Sequence, residues 1–339
     1  VFGQICDKIG ARMTAILSLI VGGFSYIWYG YSSSIASYAL SLILVSLFSN
    51  VYAWIAGGAY LAKWFPRKKG LALGWATMGN NLASATIVPL IVGLTRFLGG
   101  IEWALTAIGI AMIVTAIWAY FTPNTPQEAN YTPDNMTPEQ YKEYQEKLTN
   151  NIEKTHSEWT NKTILRTKQF WLISIGLGLY MLVTVGVMSQ LVPRLVSIGF
   201  TQDKAILTMT ITALIGVVGS YLWGVVDQLL STRVATYIYG IWYGIAIILN
   251  LIPNTIAIYA SVFMLGFAIG GNANWPVSLT STVFGSRNFS KVYSLINPTI
   301  SVIRMLSFTV LSISLVLTDS YNLAYVFFAG LAFVGAFLI

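Results

Sequence analysis

The sequence predicts an all-α protein that crosses a bilayer many times, and three observations carry that prediction. Hydrophobic residues fill 56% of the 339 positions and charged residues only 9%, where ordinary globular domains carry about 25% charge. The mean hydropathy is +0.69. The few charges leave long gaps, among them Arg12 to Lys63 and Arg233 to Arg287. A surface so poor in charge suits hydrocarbon rather than water as its solvent. Period-2 alternation is absent, which sets aside a membrane β-barrel. One cysteine, Cys6, excludes a disulfide framework, and one histidine, His156, leaves no His-based metal cluster or triad. No metal or cofactor is expected.

A spanning helix needs about 20 mainly apolar residues. The two longest gaps each hold two spans, broken by Gly30-Tyr31-Ser32-Ser33-Ser34 and by Pro253-Asn254. In order, the expected spans are 13–30, 37–62, 71–95, 101–121, 170–195, 205–226, 234–252, 255–281, 291–317 and 320–339. Residues 122–168 are different material. They begin with Pro123, Pro126 and Pro133 and continue into an acidic-basic run, of which Glu139–Lys154 reads as a short charged surface helix. A long polar connector between apolar bundles marks a domain boundary. The expected organisation is a helical bundle over 1–121, a polar connector over 122–168 that acts mainly as a linker, and a second bundle over 169–339.

Lys and Arg set the orientation. With Asp7–Arg12 cytoplasmic, inside loops hold 15 of the 19 basic residues, and outside loops hold Arg96, Arg194 and Lys204. Arg304 lies within a span. Leaving out the connector keeps the ratio at nine to three. The pI near 9.3 is therefore a topology signal, and nucleic-acid binding loses its main support. The connector and both ends of the intact chain are expected on the cytoplasmic side of the cell membrane.

The chain also repeats itself. Gly3-Gln4-Ile5-Cys6-Asp7 matches Gly224-Val225-Val226-Asp227, the aspartates lying 220 positions apart. Trp64-Phe65-Pro66-Arg67 matches Val283-Phe284-Gly285-Ser286-Arg287 with an offset of 219, each after a span containing Gly-Gly. Two landmarks with nearly one offset indicate an internal duplication. Two spans precede Asp227 and only six residues precede Asp7. The expectation is a fragment with ten spans of an original twelve, lacking the first two.

Two loops carry a family resemblance. Gly3-Gln4-Ile5-Cys6-Asp7-Lys8-Ile9-Gly10-Ala11-Arg12 resembles the G-x-x-x-D-[RK]-x-G-x-[RK] loop of the major facilitator superfamily. In the second copy Asp227 and Arg233 survive, but Leu229-Leu230-Ser231 replaces the basic-x-glycine portion. The run Trp64-Phe65-Pro66-Arg67-Lys68-Lys69-Gly70-Leu71-Ala72-Leu73-Gly74 resembles the oxalate/formate antiporter and monocarboxylate transporter branch. The resemblance implies a two-bundle, twelve-helix secondary transporter of small organic anions with alternating access. It also implies a gating role for Gly3, Asp7, Lys8, Gly10 and Arg12, with Asp227 and Arg233 as the degraded counterpart.

Substrate sites in such folds lie near the bilayer midplane, and charge inside a span points to function. Arg304 is the one charged residue far from both ends of its span, with Asn297-Pro298 two turns earlier. Asn272 and Asn274 stand in a Gly-Gly-Asn-Ala-Asn-Trp-Pro run; Tyr180, Gln190, Tyr52 and Asn80 complete the candidate site. For most of these amides interhelical bonding is an equal reading. The resemblance to oxalate-type carriers implies a pair of basic groups, one in each of two helices of this half; the 205–226 span has none and only Arg304 is available, so monocarboxylates fit better than a dianion. The rival cargo is a neutral or amphipathic solute such as a sugar, drug or sterol-like acid. The rival class is a membrane enzyme or sensor, which the scatter of reactive side chains disfavours. The expected partners are a small organic anion, a coupling proton or counter-anion, and the bilayer, with the chain working as a monomer.

Overall fold

The computed structural model describes residues 2–154, 160–285 and 288–339, with the side chains of 84, 85, 88, 89 and 147–154 set aside. His156 and Arg287 lie outside the described residues. No strand occurs among them. Eight of their helical segments are long and apolar enough to cross a membrane.

The first polar break falls where expected. α1 (Phe2–Gly30) ends at the Tyr31–Ser34 turn, and Ser34 caps α2 (Ile35–Asn50) by accepting the amide of Ser37. A π-helical turn, Val51–Ala56, then runs into α3 (Gly57–Trp64), so the expected 37–62 span is one rod with a widened middle. α4 (Lys69–Leu98) and α5 (Ile101–Tyr120) follow. The connector holds α6 (Pro138–Lys154) and α7 (Asn161–Arg166). α6 opens with a reciprocal cap: the Gln140 amide donates to Thr137 Oγ1 and the Thr137 amide to Gln140 Oε1.

Beyond it come α8 (Lys168–Ser189), α9 (Leu191–Ser197), α10 (Gln202–Leu230) and α11 (Thr232–Leu251). The Pro253-Asn254 break caps α12 (Thr255–Asn272), Asn254 Oδ1 taking the amides of Ile256 and Ala257. The expected 255–281 span is divided, because the backbone turns at Ala273-Asn274 before α13 (Trp275–Phe284). Pro276, the second residue of α13, suits a helix start. α14 (Phe289–Thr318) and α15 (Asn322–Leu338) end the chain.

The helices fall into two compact units. One comprises Val1–Lys68, Thr86–Asn161 and Phe284–Ser294; the other comprises Lys69–Ala85, Lys162–Val283 and Leu295–Ile339. In the first, α1 packs along α5 and α2. The α1–α5 crossing sets Gly23 against Gly109, where an added Cβ on either would fall within 2.6 Å of the other's carbonyl oxygen. In the second, α10 packs on α12, α11 on α12 and α15, and α15 on α8. Gly270 lies so close to α10 that a Cβ would sit 2.3 Å from the Gly216 carbonyl oxygen. Small residues at such crossings allow backbones to approach in a medium that offers helices no hydrophobic drive to associate. Large apolar side chains stay outward, including Phe97, Trp118, Ile256 and Val316. A surface of that kind is matched to lipid.

Candidate substrate site and gating segments

The two copies of the repeat each close on the start of another helix, and each does so within one unit. In the first unit Gly3 abuts α14: a Cβ there would meet the Ser290 carbonyl oxygen at 2.2 Å. Asp7, one turn later, lies beside Ser290, Lys63 and Lys291. Gly10 has φ 86° and ψ 161°, breaking α1 in a conformation only glycine adopts without strain. That break turns Arg12 toward the connector. Its amide donates to Asn124 Oδ1 at 3.1 Å, and its guanidinium reaches the Thr122 carbonyl oxygen at 3.4 Å and the Glu128 carboxylate at 3.8 Å. Lys8 is exposed.

The connector is more than a tether. The Asp134 carboxylate accepts the backbone amides of Arg67 at 2.7 Å and Lys68 at 3.2 Å, and Arg67 lies over the Tyr144 ring. Burial and the charge of Asp134 hold the Tyr144 hydroxyl above its ordinary pKa. Residues 122–146 thus dock on the loops that carry both family motifs.

In the second unit Gly224 abuts α4: a Cβ would meet the Gly70 carbonyl oxygen at 2.5 Å. Gly70 and Ser290 are themselves 220 positions apart, so the duplicated spacing reappears as a duplicated contact. Here the aspartate is buried. Asp227 is 5% exposed, accepts from Ser278, and leaves Oδ1 without a hydrogen-bond partner. Ser278 and Thr282 both meet Thr232, and Lys69 donates to Thr282, closing a polar network around the carboxylate. Arg233 stays exposed and outside that network.

The candidate substrate residues group on α8, α12 and α14 of the second unit. Asn272, at the end of α12, donates to Thr184 Oγ1 at 2.8 Å and to Met181 Sδ at 3.2 Å; Tyr243 donates to the same Thr184 at 3.0 Å. One turn before Thr184, Tyr180 is buried and donates to the Thr236 carbonyl oxygen at 3.1 Å. Trp223, Tyr239 and Trp275 pack edge-on or tilted around these rings. Asn274 is fully buried and engaged: it accepts from Thr77 of α4 and donates to the Ser220 carbonyl oxygen of α10 at 3.0 Å.

Arg304 stands apart. It is exposed and, among the described residues, has no ion pair or hydrogen bond. The buried edge of α14 carries Ile300, Ser307 and Leu311, while Asn297 is half-buried two turns before Arg304 on the same face. Next to Arg304, Ile303 packs against Gly178 of α8, one turn before Met181. Tyr180 and Asn272 meet through Thr184, whose hydroxyl donates to the Tyr180 carbonyl oxygen, while Asn297 and Arg304 lie two turns apart on α14, whose Ile303 reaches α8 at Gly178. The other candidates join neither pair. Gln190 accepts from Tyr321 at 3.2 Å at the end of α8, while Tyr52 on the π-helical turn and Asn80 on α4 are exposed.

Sequence reasoning missed Thr184, Tyr243 and Trp275, which bond to or pack around Asn272, Tyr180 and Tyr239. It also missed Arg194, placed in an outside loop but buried here. Only the Pro following Trp275 offered a signal.

Long apolar helices built around close glycine crossings define a multi-pass membrane protein. The Major Facilitator Superfamily model matches residues 1–308, and the chain belongs to that family. It is 25% identical over 305 residues to the oxalate:formate antiporter of Oxalobacter formigenes, covering 86% of this chain and 66% of the relative. It is 22% identical over 311 residues to the uncharacterized MFS-type transporter YhjX of Escherichia coli (strain K12), covering 87% of this chain and 70% of the relative. The chain therefore spans about two thirds of these proteins' lengths. The crystal structure of the MFS transporter FucP in the outward conformation shares the fold, with a TM-score of 0.74 at 14% identity, over 100% of this chain and 85% of that one.

Proposed function

We propose that the protein is a secondary transporter of small organic anions, monocarboxylates in preference to oxalate, working by alternating access as an antiporter or ion-coupled symporter. In this reading two bundles, 1–121 and 169–339, flank a cytoplasmic connector in the cell membrane, and the protein acts as a monomer. The observation that carries the reading is Arg304. It sits 15 residues into the 30-residue α14, roughly 21 Å of helix from either end, too far for its head to snorkel easily to an interface. A guanidinium offers a planar fork to one carboxylate and keeps its charge throughout a transport cycle. Asn297 supplies an amide for the ligand's remaining oxygens. The antiporter named among the relatives supports an anionic cargo.

The lack of any basic residue on α10 after Lys204 supports the second reading, a neutral or amphipathic solute. Uptake by the full-length protein in proteoliposomes separates the two. Arg304→Gln is expected to abolish carboxylate transport with normal membrane insertion, and Arg304→Lys to retain a fraction. Undiminished uptake by Arg304→Gln would remove the anion reading and leave the neutral one.

A further inference from the structure

A cavity of about 470 Å³ opens in the second unit, away from every residue assigned above except the flank of Gln190's partner Tyr321. Its walls come from α9, the α11–α12 turn and the α14–α15 turn. Asp227 lies near the C-terminal end of α10, whereas this cavity lies near the end where α10 begins. Arg194 lines it and is only 4% exposed. Its Nε donates to Asn250 Oδ1 at 3.2 Å, one Nη to the Asn250 carbonyl oxygen at 3.1 Å, and the guanidinium carbon lies 5.2 Å from the Tyr325 ring centre. These contacts cap the end of α11, where a cation is favourable.

They leave the charge unmatched. Among the described residues no carboxylate lies within ion-pair distance of Arg194. The other Nη has no hydrogen bond, and Asn250 Nδ2 in the same wall is buried with no partner. A buried cation short of its anion is costly to hold, and an incoming anion relieves that cost. The cavity also contains an acid. Asp319, exposed on the rim, has φ 47°, a left-handed conformation held just past the end of α14.

We propose that this cavity is a second site for a small monocarboxylate, held by Arg194 at its floor and screened by Asp319 at its mouth. The carboxylate takes the free edge of the guanidinium. A second negative charge on the ligand would be brought toward Asp319, so dicarboxylates are rejected. The site is independent of Arg304, which lies about 22 Å away along α14 from Asp319.

The test uses full-length protein in nanodiscs carrying Arg304→Gln, so that acetate binding at the transport site is removed and only this cavity is read. Calorimetry with acetate and succinate is expected to show acetate binding and weaker succinate binding. Arg194→Gln should weaken acetate by roughly tenfold or more. Asp319→Asn should narrow the acetate-over-succinate preference several-fold. Because Arg194→Gln also uncaps α11, Asp319→Asn decides the matter if that variant fails to fold. Acetate binding unchanged by Arg194→Gln, an unchanged preference in Asp319→Asn, or no acetate binding in the Arg304→Gln background would each overturn the proposal. The last result leaves the transport reading intact, since uptake and Arg304 carry that one.

Discussion

Asp7 and Asp227 occupy matched positions of a duplicated segment, yet one is exposed and the other is buried. Asp7 lies among basic neighbours that water also reaches, and the whole Gly-x-x-x-Asp-Lys-x-Gly-x-Arg string is present around it. Asp227 has lost the basic-x-glycine portion and is enclosed by Ser278, Lys69 and two threonines. What survives in both copies is the close glycine four residues or fewer before the aspartate, and the helix start it packs against. Backbone approach is thus the part of the motif that the duplication retains, and the charge pattern is the part that drifted.

The backbone breaks show the same contrast. Gly10 and Ser231 hold nearly equivalent conformations, φ 86° and 115° with ψ 161° and 147°. Glycine adopts that region freely, whereas serine is strained in it.

Truncating the two aspartates should give the largest separation. Asp227→Ala strips the buried Ser278 hydroxyl of its acceptor and is expected to cost about 1–3 kcal/mol, with Asp7→Ala well below it. Thermal unfolding of the two purified variants in one detergent checks this, and equal losses would erase the distinction between the copies. The breaks come next. Ser231→Gly should gain about 1 kcal/mol by relieving strain, whereas Gly10→Ala should lose stability, its new Cβ meeting Asn124 Nδ2 at 2.8 Å. Opposite signs in the melting shifts are required. Smallest is the basic residue after each break. Arg12→Gln removes a half-exposed pair with Glu128 and should cost under about 1 kcal/mol; Arg233→Gln should leave melting unchanged. Limited proteolysis of the connector would sharpen that pair, with faster cleavage only in Arg12→Gln.

The spans were legible because a bilayer leaves a coarse signature: charges withdraw from stretches of about 20 residues, and Gly, Ser, Pro and Asn mark the turns. The breaks at Tyr31–Ser34 and Pro253-Asn254 follow directly from that. The division between α12 and α13 was half-written, in Pro276, but read as one span because the apolar run continues across it. Docking of the connector was not legible, since Asp134 recognises amides 66 and 67 positions away and no pattern of side chains announces such a bond. The burial of Arg194 was not legible for a related reason. Counting charges treats every arginine near a span end as solvated, and cannot see the Asn250 carbonyl and Tyr325 ring that draw this one inward. Of the candidate residues, the isolated mid-helix position of Arg304 was readable, whereas the hydrogen bonds of Asn272 and Asn274 depend on partners contributed by other helices.

Asp134 grips the loop at Pro66–Lys69 through peptide N–H groups and not through the lysines and arginine that make the loop conspicuous. Every residue type except proline presents the same amide. The two amide bonds are therefore indifferent to the side chains at 67 and 68, whereas the Arg67 guanidinium adds a hold on the Tyr144 ring that does depend on its identity. The loop thus holds the connector twice, once through backbone that most residues would supply and once through the side chain of Arg67.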